Sequence, residues 1–109
     1  MALAQASFPT TFPSGAVPLA PEALQAHVSG KVFTVKPAEG AEYRLQFQGA
    51  VVYLDFGNFN DSGPWKVEGS AVCIEFKRAK SGCTEFRLVG DVLYSKRFSN
   101  GEVVIMRPQ

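Results

Sequence analysis

From Lys31 onward, apolar and polar residues alternate in short runs set apart by turn formers. Tyr43, Leu45 and Phe47 fall on one side of an extended chain and Arg44, Gln46 and Gln48 on the other, the period-2 pattern of a half-buried strand. A looser alternation covers Lys31–Lys36 until Pro37 and Gly40 break it, and Gly49 separates the Tyr43 strand from Val51–Phe56. Gly57-Asn58-Phe59-Asn60-Asp61-Ser62-Gly63-Pro64 is the densest group of turn residues in the chain and predicts a loop. Beyond it, Trp65–Glu68, Val72–Lys77, Thr84–Val89, Val92–Phe98 and Val103–Arg107 read as further short strands. Gly90-Asp91 and Asn100-Gly101 read as two-residue hairpin turns, because these residue types accept positive φ at little cost.

One helix is predicted, over Pro21–Gly30. Pro21 suits the first helical position, Glu22 complements the positive end of the helix dipole, and Gly30 supplies the left-handed stop. Leu24 and Val28 share a face, and two turns are too few to be stable unless that face docks on something. Residues 1–21 carry no Asp, Glu, Lys or Arg but include Pro9, Pro13, Pro18 and Pro21, which bars a regular helix or a central strand there. Ala4-x-Ala6 has the small-residue spacing accepted at a secretory cleavage site. Residues 1–20 therefore read as a signal-peptide remnant and flexible proline-rich arm, and 21–109 as a single barrel-like domain. The expected fold is mainly β, a short N-terminal helix followed by about eight antiparallel strands forming a small barrel or strongly curved meander.

A two-residue turn at Gly90-Asp91 sets a register. Leu88 then faces Leu93, Phe86 faces Ser95 and Thr84 faces Arg97, while Glu85 meets Lys96 and Arg87 meets Tyr94 on the other side. The first row, continued by Val104 and Met106, is the core face. Thr84, Ser95 and Arg97 accordingly point inward at one end of the barrel, a candidate site for the carboxylate or other anionic head of a small apolar ligand. The outer face carries Val89, Val92, Phe98, Val103 and Ile105, an apolar strip to be covered by the helix, the arm, a second subunit of a homo-oligomer or another partner.

Composition removes several function classes. A net charge of +1 gives no general attraction for nucleic acid, and no apolar run is long enough to span a membrane as a helix. The 12% of aromatic residues fall mostly on core phases rather than on a basic stacking groove. His27 is the only histidine, with no Ser or Cys fixed beside it, so a nucleophilic triad is not indicated and no catalytic residue is assigned. Glu75 and Glu85 lie among Lys77, Arg87 and Lys96 on a solvated charged face. Asp55-Phe56-Gly57 lacks the companion motifs of a kinase. His27, Cys73 and Cys83 have no zinc-ligand spacing, so neither a metal nor a cofactor is expected.

Cys73 and Cys83 occupy the polar phase of their strands. They suit a disulfide if the strands pair Cys73 opposite Cys83, whereas a turn at Ser81-Gly82 pairs Glu75 with Arg87 and leaves Cys83 unbonded at the tip. Phe59, amid Asn58 and Asn60, reads as an aromatic loop anchor with Trp65 nearby, the kind of group that engages a macromolecular partner.

Leu24…Gly30-Lys31, Gly63-Pro64-Trp65, Cys73-Ile74-Glu75-Phe76, Cys83 and Gly90-Asp91 resemble a group of small secreted proteobacterial proteins of unknown function with a lipocalin-like half-barrel. Lys66 departs from their pattern, which often has a second aromatic after the tryptophan. The resemblance implies a periplasmic or secreted location and a Cys73–Cys83 bridge, and no activity. Periplasmic lysozyme inhibitors are similar in size, compartment and architecture, but their Ser-Gly…Tyr loop motif is not evident. The expectation is a non-enzymatic binding module engaging a protein or other envelope macromolecule through the Phe59 loop, with carriage of a small apolar or anionic ligand as the alternative.

Overall fold

A computed structural model describes residues 8–38 and 40–109. The elements are β1 (Val17–Pro18), α1 (Pro21–Val28), β2 (Val32–Val35), β3 (Tyr43–Gln48), β4 (Val51–Asp55), β5 (Asn60–Glu68), β6 (Ala71–Ile74), β7 (Gly82–Val89), β8 (Val92–Lys96) and β9 (Val103–Pro108). Strands β2 to β9 pair antiparallel in sequence order, and β9 returns to β2, so eight strands close into an up-and-down barrel. Closure rests on a short ladder: Phe33 opposite Pro108 and Thr34 opposite Arg107, extended by the Gln109 amide donating to the Val32 carbonyl at 2.9 Å. The helix is not the first element. It follows β1, which adds a ninth strand by pairing Val17 with Leu88 and Pro18 with Arg87 on β7.

The β7–β8 register is the one read from the Gly90-Asp91 turn: Leu88 faces Leu93, Phe86 faces Ser95, Glu85 faces Lys96 and Arg87 faces Tyr94. The β8–β9 connection differs. Lys96 pairs with Val103, the Arg97 amide donates to the Glu102 carbonyl at 2.7 Å and Gly101 takes a φ of 79°, so the loop spans Phe98–Gly101 instead of two residues. The predicted loop Gly57–Pro64 is also shorter, because β5 already begins at Asn60. Pro64 passes from the β4 ladder to the β6 side: its carbonyl accepts the Glu75 amide at 3.1 Å, and a Cβ at Gly63 would lie 1.9 Å from the Glu75 carbonyl oxygen. The Gly-Pro pair therefore makes a strand corner, where close backbone approach replaces a turn.

From Pro9 the arm lies against the barrel. The Pro9 carbonyl accepts the Val103 amide at 2.9 Å, Phe12 lies under Arg87 with the guanidinium 4.5 Å from its ring centre, and β1 extends β7 past the end of β6. Part of the outer apolar strip is thus covered by the chain itself, and Val103 is only 6% exposed. The Ala4-x-Ala6 site lies outside the described residues. Among the described residues no helix is long and apolar enough to cross a membrane.

Helix α1 seats Leu24 and Val28, both fully buried, in the core cluster formed by the inward strand residues. It packs against β5, and the carbonyl of Lys31, just beyond the helix, accepts the Phe47 amide at 2.9 Å. Phe47 meets Phe33 edge-on at 6.1 Å and Trp65 edge-on at 5.0 Å, and these three rings fill that half of the interior. Such T-shaped pairs set a ring's positive edge against its neighbour's negative face.

Cys73 and Cys83 are directly opposed on β6 and β7 and joined by a disulfide. The register with its turn at Ser81-Gly82 does not form. The bond closes the segment 75–81, and a loop of this length restricts the unfolded chain enough to contribute roughly 2–3 kcal/mol. Replacing both cysteines by serine should lower the unfolding free energy in denaturant melts by that amount, and reductant should affect the wild type alone. Equal midpoints for the wild type and the double variant would contradict this.

Candidate functional site

The barrel end opposite α1 is not filled. There β3 begins, β4 ends, and the inward residues enclose a cavity of about 180 Å³. Its walls are apolar: Leu45, Phe47, Leu54, Val72, Ile74, Phe86 and Met106 from the strands, with Phe56, Phe76 and Phe98 towards the mouth. The cavity reaches the surface beside the exposed Lys80 and Ser99. A larger groove of about 710 Å³ lies at the helix end, where His27, Lys31, Asp91 and Arg107 line it together with Phe33, Leu93 and Ile105.

Thr84, Ser95 and Arg97 all line the cavity, as the register predicts. Ser95 is 3% exposed, and its Oγ donates only to Met106 Sδ, at 3.2 Å. A thioether is a weak acceptor, so this hydroxyl is lightly committed. Arg97 is already engaged at this site. Its Nη1 donates to Glu102 Oε1 at 3.3 Å, and Glu102 is 2% exposed. The other carboxylate oxygen accepts the Ala38 amide at 2.8 Å, and the Glu102 amide donates to Asn100 Oδ1 at 3.0 Å. The Arg97 guanidinium also lies 5.5 Å from the centre of the Tyr43 ring. Burial raises the Tyr43 phenol above its ordinary 10.0, Arg97 pulls it back, and the Glu102 charge adds to the rise.

The loop residues occupy different places. Phe59 is half-buried, 6.2 Å from Phe56, with the Arg78 guanidinium 4.6 Å over its ring, and it packs against the core. Trp65 is 8% exposed inside the barrel, with Nε1 donating to the Gly49 carbonyl at 3.0 Å, so it offers no outer surface. Asn60 turns its amide towards Asp55 Oδ1, 2.9 Å away, and only Asn58 stands as an exposed side chain without an assigned contact. Glu85 is paired with Arg87 at 2.8 Å and Glu75 is exposed, so they form no carboxylate dyad. Glu68, Cys73 and Cys83 cluster within 4.8 Å, but the disulfide leaves no thiolate to bind a metal.

No family model, curated protein or solved structure matches this chain.

One residue that sequence reasoning passed over organises the mouth. Asp61 is 8% exposed and accepts the backbone amides of Ser62 at 2.8 Å, Lys77 at 3.3 Å, Arg78 at 2.9 Å and Ala79 at 2.7 Å. It thereby fixes the segment carrying Phe76, Ala79 and Lys80, all of which line the cavity. An Asp between turn residues was the available sign, but its partners lie 16 to 18 residues away. Burial raises its carboxyl pKa, but the four amides together outweigh that and bring it from 3.8 to about 2. A lowered carboxylate pKa stabilises fully above the unfolded-state value, and the effect is lost as pH falls through the folded one. Asp61→Asn should therefore melt several degrees below the wild type at pH 7, with the gap closing between about pH 4 and pH 2. A gap that stays constant with pH would contradict this role.

Proposed function

We propose that this chain is a non-enzymatic binding protein whose barrel interior takes up a small apolar ligand. The observation that carries this reading is the apolar cavity of about 180 Å³ at one end of the barrel, which opens to the surface beside Lys80 and Ser99. Native interiors pack to crystal density, so such a volume is costly unless something fills it. A cavity of about 150 Å³ lined by aliphatic and aromatic side chains stays dry and binds benzene. The space here therefore suits one ring or a short branched chain.

The periplasm or the cell exterior is the compartment we assign. The surface Cys73–Cys83 disulfide and the Ala4-x-Ala6 spacing both fit oxidising conditions beyond the cytoplasm. Engagement of an envelope macromolecule through the Phe59 loop has less support, because Phe59 is packed and Trp65 is internal.

Trp65 is the chain's single tryptophan and touches Phe47, which lines the cavity, so it reports on the interior. Toluene should change its fluorescence saturably, with a Kd on the order of 0.1–1 mM. Leu45→Phe, which fills the cavity from an inward position, should abolish that response and keep the melting temperature within a few degrees. Phe59→Ala should bind toluene as the wild type does. A wild type that shows no saturable response would overturn the reading.

A further inference from the structure

The polar groups at the cavity suggest what kind of molecule it selects. Thr84 on β7, Ser95 on β8 and Arg97 just beyond β8 line the cavity, with Tyr43 beside Arg97, Lys80 and Ser99 at the mouth, and apolar side chains for the rest. Ser95 Oγ has only the Met106 sulfur as partner, at 3.2 Å, and rotates to a better acceptor at little cost. Arg97 carries five N–H donors in a fixed plane, and the structure commits one of its side-chain nitrogens to Glu102. Donors remain for a ligand oxygen.

Glu102 decides the charge of that oxygen. It is 2% exposed, held by Arg97 on one oxygen and by the Ala38 amide at 2.8 Å on the other. The pair is neutral as a unit. A ligand carboxylate would have to shed its water and share one guanidinium with a carboxylate already in place, in surroundings that screen poorly. A neutral acceptor avoids that repulsion and still receives charge-assisted hydrogen bonds. Lys80, the remaining cation of the lining, is exposed at the rim, where solvated charges interact weakly.

We propose that the cavity selects small uncharged molecules bearing a carbonyl oxygen, such as ring-bearing or short-chain ketones, aldehydes and amides, and that Glu102 excludes their carboxylate counterparts by occupying Arg97. This rests on the cavity reading above, and the experiment separates the two. Acetophenone, α-methylstyrene and benzoate share a ring and a planar head of equal size, and differ as neutral acceptor, no acceptor and anion. Calorimetric titration of the full chain at pH 7 should rank acetophenone about tenfold tighter than α-methylstyrene and benzoate at least about tenfold weaker than acetophenone.

Glu102→Gln should raise benzoate affinity at least about tenfold while moving α-methylstyrene by less than about twofold. If that variant does not fold, Ser95→Ala with Thr84→Val, which breaks no ion pair, should bring acetophenone down to the α-methylstyrene level. Benzoate binding the wild type as tightly as acetophenone, or acetophenone no better than α-methylstyrene, overturns the selectivity and leaves the cavity reading standing. Failure of all three probes to bind removes both.

Discussion

Closure of the sheet at β2 and β9 is the constraint on which the rest of this molecule depends. Only Phe33–Pro108 and Thr34–Arg107 pair across that seam, helped by the Gln109 side chain donating to Thr34 Oγ1 at 2.7 Å. Once eight strands close, the diameter of the barrel is set, and the interior is just wide enough for side chains or one small ligand. The sequence then decides how that fixed volume is shared. Phe33, Phe47 and Trp65, with Leu24 and Val28 from α1, fill one half. The other half has Thr84 and Ser95 where larger residues would be needed to fill it, and it stays open.

The wall around the open half is braced where it has no ladder. Segment 75–81 leaves the sheet between β6 and β7, so its amides need other partners. Asp61 takes three of them, Ser81 Oγ accepts the Phe76 amide at 2.9 Å, and the disulfide ties the base of the loop. On the opposite rim, Glu102 does the same for Ala38 and Arg97. Two buried carboxylates, each spent on holding backbone or an arginine, therefore shape an entrance that strand pairing alone would leave loose. Their hydrogen bonds make this burial tolerable, since an unpaired carboxylate in that position would cost far more.

Much of the barrel was legible because its rules are local. Alternation placed seven of the eight barrel strands closely, and Gly90-Asp91 fixed the β7–β8 register that turns Thr84, Ser95 and Arg97 inward. Pro21, Leu24, Val28 and Gly30 placed the helix by equally local chemistry. What was missed depends on distant partners. Asn60–Pro64 reads as loop by composition, yet it pairs with β4 on one side while Gly63 admits the Glu75 backbone on the other. Strand β1 is too short and too proline-rich to show a period, and exists because β7 outruns β6. The Arg97–Glu102 pair was within reach, since both residues flank the Asn100-Gly101 turn, but a two-residue turn sets Glu102 opposite Ser99 and hides it.

One end of the closed barrel is filled by side chains, and the other holds an accessible apolar cavity. Methyl-resolved NMR of the folded chain under xenon pressure tests this directly. Xenon should shift the methyl signals of Leu45, Leu54, Ile74 and Met106 along saturable curves and leave Leu24 and Val28 unmoved. Methyl shifts that are absent, or equal at both ends of the barrel, would contradict it.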